Sequence, residues 1–231
     1  MVCEFREALP NELDACMHLR EECLCRTVRS THVKSEEFGQ HDSQAHHFGL
    51  FHREEAEGRL AGYVRVVEAV ASAPSLPFLG YLRSPGLMRA RRLIEGLLSK
   101  HGMVAEAGRL SVSSHVGCAF GARHIVDCLA AVYGLGLEVP AFLACAEKHR
   151  RFYEAVGFRQ ILLDESVIVP WKRSLHSVCM LRLPEANASA SSRQLRMLEA
   201  YRRNRSIAFP KDVEDSVPSQ LGASYDPELV A

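Results

Sequence analysis

Between residues 2 and 183, stretches in which apolar and polar positions alternate take turns with stretches whose apolar positions recur every three or four residues. The first kind predicts strands at VCEFREAL, HHFGLFH, RLAGYVRVVEA, AGRLSVSS, FRQILLD and HSVCMLRL, and the apolar run EVPAFLACA predicts a buried one. REEAEG supplies the turn between the second and third. The second kind predicts helices. Leu13, Met17, Arg20 and Leu24 share one face of a first helix that starts near Pro10 and ends near Arg26. Leu87, Ile94, Leu97 and Leu98 mark a second, AFGARHIVDCLAAVYGLG a third that stops at Gly134 or Gly136, and KHRRFYEAVG a fourth. The sum is an α/β (α+β) domain: a mixed sheet of about seven strands with helices on both faces. Residues 29–44 are polar and aperiodic, a loop long enough to need a functional reason.

Composition changes once, near Pro184. Residues 1–184 read as the folded domain. Residues 185–231 read as a linker, EANASASSR, a short helix over 192–205 carrying Leu195, Leu198 and Tyr201, and a flexible tail. Lys plus Arg and Asp plus Glu both number 28, so the formal charge is zero, which argues against nucleic acid as a partner. No apolar run approaches the roughly 20 residues that span a bilayer, and MVCEFREALP lacks the apolar core of a secretory signal, so the expected compartment is the cytosol. The eight cysteines have no CxxC spacing and lie mostly in apolar stretches; they are expected to be buried thiols. His41, His46, His47 and His52 lack partners at zinc-site spacing, so no metal is expected.

The segment PAFLACAEKHRRFYEAVGFRQI, a buried strand running into a helix that Gly157 stops before Phe158, resembles the strand, helix and YxxxGF ending of GNAT N-acyltransferases. An ordered set of residues narrows the likeness: LREECLCR with Arg20, Asp42 at the end of the long loop, GYVRVV with Arg65, LPF at 76–78, and EAGRLSV with Glu106 and Arg109. Over about residues 4–164 this set resembles the acyl-homoserine-lactone synthases, and more closely the N-acyl amino acid synthases and exosortase-associated acyltransferases. His46 is similar to a His that follows the acidic loop in the amino acid synthases. Two departures turn the reading from homoserine-lactone synthesis toward a simpler amine acceptor. Cys23 and Leu24 stand where an aromatic is expected, and SQAHH replaces a second acidic residue.

The resemblance implies the GNAT fold with a splayed cleft between strands 4 and 5, and N-acyl transfer from an acyl-coenzyme A or acyl carrier protein thioester to the amine of an amino acid or similar small molecule. The donor is a co-substrate, and no permanently bound cofactor is implied. Glu106 and Asp42 are the candidate bases, and Tyr153 matches the position that protonates the departing thiolate. The resemblance also implies a catalytic place for Arg65 and substrate-binding places for Arg20, Arg109 and His46. Backbone N–H groups around Val112, Ser113 and Ser114 are the candidate oxyanion donors, each worth roughly 3 to 4 kcal/mol in other enzymes. Gly117, Gly121 and Arg123 fall in SSHVGCAFGARHI, where the usual phosphate-binding turn lacks its first Arg or Gln; that suits acyl carrier protein, which offers a single phosphate and an acidic surface. Arg89, Arg91 and Arg92, with Lys148 to Arg151, are the basic groups such a partner would meet. Phe142 in VPAFLAC, with Phe78 and Leu79, is placed to line a long acyl tunnel.

Each assignment has a structural counterpart: Glu106 with Arg109 as a surface i,i+3 pair, Arg65 as an ion-pair partner, Asp42 as a loop cap, Tyr153 and the two phenylalanines as packing, Arg20 as a solvated helix residue. The same residues fit a short-chain acetyl-coenzyme A acetyltransferase, or a non-catalytic module that senses thioesters.

Overall fold

The computed structural model describes residues 3–27, 41–52, 59–72, 75–114, 118–155, 158–161, 166–169, 174–181 and 191–209. In chain order the elements are β1 (Cys3–Glu7), α1 (Leu13–Thr27), β2 (His46–His52), β3 (Leu60–Val70), α2 (Gly86–His101), β4 (Met103–Val112), α3 (Cys118–Leu129), β5 (Ala141–Ala146), α4 (Arg150–Glu154), β6 (Phe158–Gln160), β7 (Ser166–Val169), β8 (Ser174–Leu181), α5 (Ser192–Asn204) and β9 (Ser206–Phe209). Nine strands form one mixed sheet in the order β6-β8-β5-β4-β3-β2-β1-β9, with β7 also on β8. Seven lie on the stretches picked out by their pattern. The additions are β7 and β9, and β4 starts earlier, at Met103.

Local chemistry explains the helices. In α2, Ala90, Ile94 and Leu98 are buried at spacings of four, and the helix closes on Gly102, at φ 76°, whose N–H bonds the Leu98 carbonyl. α3 continues into a π-helical turn over Ala130–Gly136. Ser191 caps α5 by accepting from the Gln194 N–H, and Gln194 reaches back to the cap.

The sheet carries two unlike faces. On one, Phe5, Phe48, Leu50, Val64, Val66, Ala105 and Leu143 pack beneath α3, its π-helical turn and α5. On the other, Ala69, Val104 and Phe142 pack beneath α2, and Tyr63 packs beneath Cys16, Leu19 and Cys23 of α1. The six cysteines whose side chains are described, Cys3, Cys16, Cys23, Cys128, Cys145 and Cys179, are buried free thiols.

Residues 191–209 do not trail from the sheet. β9 pairs antiparallel with β1, Cys3 facing Phe209 and Arg6 facing Ser206. α5 lies on the π-helical turn, where a Cβ at Gly136 would come within 2.7 Å of Leu198. Arg193 reaches His124 at 3.1 Å and Asp127 at 3.8 Å, and the His124 ring meets Phe209 edge-on at 4.4 Å. The boundary drawn at 184 therefore does not separate this stretch from the core. Residues 182–190, which include most of the linker EANASASSR, and 210–231, the tail, lie outside the described residues, as do 28–40 of the long loop.

The β4–β5 contact positions the site. These two form the only parallel pair among the described strands, and they meet at only two residue pairs, Ala105 with Ala141 and Glu106 with Phe142. Beyond Glu106, β4 runs on to Val112 and β5 to Ala146 with no further register between them. The splay expected between strands 4 and 5 opens at Glu106.

Candidate active site

β2, β3 and β4 bring their charged residues to one face by register alone. His47 lies opposite Arg65, and Glu106 lies opposite Val67, one pleat further along. Between Tyr63 and Arg65 the β3–β4 register slips: Tyr63 faces Ser111, whereas Arg65 faces Gly108. Arg109 occupies this bulge at φ 61°, a left-handed conformation that a non-glycine residue adopts at a cost of about 1 kcal/mol or more. Its Nη2 donates to the Tyr81 hydroxyl at 3.2 Å.

Asp42 closes the cluster from a single 3-10 turn, Asp42–Gln44, before β2. Its Oδ1 accepts from Arg20 Nη1 at 2.8 Å and from Arg65 Nη1 at 2.9 Å. Both guanidiniums are buried, Arg20 with 2% of its surface exposed and Arg65 with 4%. Among the described residues, the Arg65 Nε is buried without a hydrogen-bond partner.

The two carboxylates have opposite characters. Burial pushes Asp42 up, but the hydrogen bond from Arg65 and the charge of Arg20 outweigh it and hold the carboxyl below its ordinary range. Glu106 is buried next to Phe142 and beneath Phe78, whose rings stack at 5.5 Å. Burial pushes it up to about 7 against the Phe78 N–H, which donates to Oε2 at 2.9 Å, and against the charges of Arg65 and Arg109. The surroundings of the two carboxyls thus drive their titration in opposite directions: Asp42 is held low between two cations, and Glu106 is pushed up by burial.

Arg20, Asp42, Arg65, Glu106 and Arg109, drawn from four separate stretches of sequence, are thus brought together, with Phe78 and Phe142 packed around Glu106. Glu106 and Arg109 do not form a surface pair. Gly117 lies outside the described residues, and Gly121 is buried in α3. Tyr153 sits on the opposite sheet face, its ring edge-on to Phe152 at 5.2 Å and Phe158 at 6.1 Å, on the short helix that follows the free end of β5. Three expectations are corrected. The Ser113 N–H donates to the Ala61 carbonyl at 2.9 Å, so it is spent on β3; by the alternation of the ladder the amide of Val112 faces the open edge instead, and Ser114 lies in the turn beyond the strand. Arg123 is turned along its own helix to Asp127, at 3.2 Å.

The third concerns His46, which lies opposite Val66 and so points to the α3 face, where it contacts Glu7 at 2.7 Å and Glu68 at 3.5 Å. His47 is the histidine at the charged cluster, where Tyr63 and Tyr81 were also missed. The signal was present in HHFGLFH: His46 shares its parity with Phe48 and Leu50, the large residues bound for the main core. Burial lowers the His46 pKa, but Glu7 and Glu68 outweigh it and raise the ring above its ordinary 6.5. The stabilisation is therefore complete below 6.5 and is lost as pH rises through the folded value. Glu7→Gln and Glu68→Gln are expected to lower the melting temperature at about pH 6 and to have little effect at about pH 9, which a pair of thermal unfolding series would check.

Among the described residues no three His, Cys, Asp or Glu side chains converge to hold a metal ion, and no helix is long and apolar enough to cross a membrane. No protein-family model and no curated protein sequence matches the chain. Solved structures do. FeeM, an N-acyl amino acid synthase from uncultured soil microbes, is 20% identical and superposes with a TM-score of 0.58 over 83% of this chain and 98% of that one. A Lactobacillus plantarum protein assigned as an N-acetyltransferase is 13% identical, with a TM-score of 0.50 over 78% of this chain and 98% of that one. At these identities the likeness is one of fold: the chain has the GNAT N-acyltransferase fold.

Proposed function

We propose that this protein is an N-acyltransferase that moves an acyl group, long-chain in our reading, from the pantetheine thioester of acyl carrier protein or coenzyme A to the amine of an amino acid or similar small molecule. The observation that carries this reading is the position of Glu106, a buried carboxyl with a pKa near 7 at the point where β4 and β5 part. The thioester arm lies in the opening beyond it and bonds to the exposed edge of β4 like an added strand. The amine nitrogen attacks the thioester carbonyl carbon, Glu106 takes the proton that the amine loses, and the carbon–sulfur bond breaks. The Val112 amide receives the oxyanion, and the thiolate takes its proton from the Tyr153 phenol or from water. The products are an amide and a free thiol.

The surrounding charge supports an acceptor that carries a carboxylate. Arg20, Arg65 and Arg109 gather at the cluster beside Asp42 and Glu106, and burial holds Glu106 above the ordinary carboxylate range. The orphaned Arg65 Nε adds a buried donor. The exposed arginines Arg89, Arg91 and Arg92 on α2 suit an acidic carrier protein. The test is mass spectrometry of mixtures of long-chain acyl carrier protein, long-chain acyl-coenzyme A and acetyl-coenzyme A with pooled amino acids and amines. New amides from a long-chain donor are expected. Consumption of acetyl-coenzyme A alone would remove the long-chain assignment, and survival of every thioester would end the enzyme reading.

A further inference from the structure

A carboxylate on a loop is only as well placed as the backbone that carries it, and the Asp42 backbone is held by a buried chain of polar groups that the chemistry above does not use. His47 Nε2 lies 2.9 Å from the Asp42 carbonyl oxygen, and His47 Nδ1 lies 2.9 Å from the Tyr63 hydroxyl. A carbonyl can only accept, so Nε2 carries a proton and His47 Nε2–H donates to the Asp42 carbonyl, while Nδ1 is hydrogen-bonded to the Tyr63 hydroxyl. Both rings belong to strands. Tyr63 has no exposed surface and is pinned by Cys16, Leu19 and Cys23 of α1, and His47 is 8% exposed and stacks on Tyr63 at 5.9 Å and 18°. The rigidity of β2 and β3 is passed to the one loop residue that gathers both buried guanidiniums.

We propose that His47 and Tyr63 are positioning residues: they set the place of Asp42, and through it the pose of Arg20 and Arg65 toward the acceptor. The catalytic consequence rests on the acyltransferase reading, while the geometric consequence does not. A merely structural role would reduce stability and every kinetic constant together. A positioning role separates them, because the donor's strand-like seat on β4 and the Glu106 carboxyl are left untouched.

Three variants test this, His47→Leu, His47→Gln and Tyr63→Phe, each checked for wild-type thermal unfolding. Gln keeps an N–H that can donate to the Asp42 carbonyl, and Leu does not. In crystal structures, His47→Leu is expected to release Asp42 Oδ1 from hydrogen-bond distance of at least one guanidinium, and His47→Gln to retain both contacts. In steady-state assays His47→Leu should raise the acceptor KM by about tenfold or more with donor KM and kcat within about threefold of wild type. His47→Gln should restore the acceptor KM to within about threefold, with Tyr63→Phe between the two. An unmoved Asp42 in His47→Leu, or a parallel loss in kcat and both KM values that Gln does not rescue, would overturn the assignment. If the wild-type protein consumes no thioester, the acyltransferase reading fails, and the crystallographic comparison alone decides whether His47 positions Asp42.

Discussion

Glu106→Gln is expected to lower kcat by about 100-fold or more and, in the same protein, to raise the melting temperature above about pH 7. Both effects come from burial. The folded protein holds this carboxyl at about 7, above its ordinary 4.5, because the charged form loses its water beside Phe78 and Phe142. A carboxyl whose folded pKa is raised favours the folded state fully below 4.5, and that advantage is lost as pH rises through about 7. Above that point the wild type holds a buried anion that Gln does not, at a penalty of a few kcal/mol. Gln keeps an oxygen to accept the Phe78 N–H, so the contact that orders the 77–81 turn survives. The sign for activity is opposite: the base works only when ionised, so kcat/KM should fall as pH drops below about 7, and that limb should disappear in the Gln variant. A structural carboxyl predicts a Gln variant that is less stable and fully active. That pairing in a pH-resolved melting series and rate profile would remove Glu106 from the mechanism.

Much of this site was legible because charge inside apolar sequence is rarely accidental. Arg65 in GYVRVV interrupts a strand that must be buried on the α1 side, and an ion so placed needs a partner; Glu106, which precedes the predicted strand AGRLSVSS, was marked only by the family resemblance of EAGRLSV. What stayed hidden depended on register or on distant chain. The spacing of Glu106 and Arg109 resembled an exposed helical pair, because nothing local announces that the strand bulges at a non-glycine residue and turns Arg109 away from regular alternation. His46 and His47 exchange faces with a slip of one residue, so the choice between them needs the β2–β3 pairing. Asp127 and His124 lie in α3, where their burial has no local cause; it follows from Arg193, roughly 70 residues later, in a stretch whose Ser and Ala lead-in looked like the edge of the domain. Two four-residue strands, β7 and β9, are too short to carry a period of their own.

Asp42→Ala carries the second large effect, and the argument for it concerns two cations. Arg20 and Arg65 both direct Nη1 at the same oxygen, so deleting the carboxylate leaves two buried guanidiniums facing each other across the space it occupied. Breaking a buried ion pair in this way costs about 3 kcal/mol or more, and most of that is the uncompensated charge. Asp42→Ala is therefore expected to lower the melting temperature sharply and to cut kcat/KM by about 100-fold, since the acceptor would meet displaced arginines. Asp42→Asn keeps an acceptor oxygen without the charge and should fall between. The double variant Asp42→Ala, Arg20→Met distinguishes charge from packing: with one cation gone it should regain a large part of the lost stability while activity stays low. The wild-type acid limb gives the same answer. Because the folded Asp42 titrates below its ordinary 3.8, its contribution is complete above that value and is lost as pH falls through the lower folded one, a loss Asp42→Asn should not show. Additive destabilisation in the double variant would mean that Asp42 does not join the two guanidiniums, and the anchor assigned to it would then be only a loop cap.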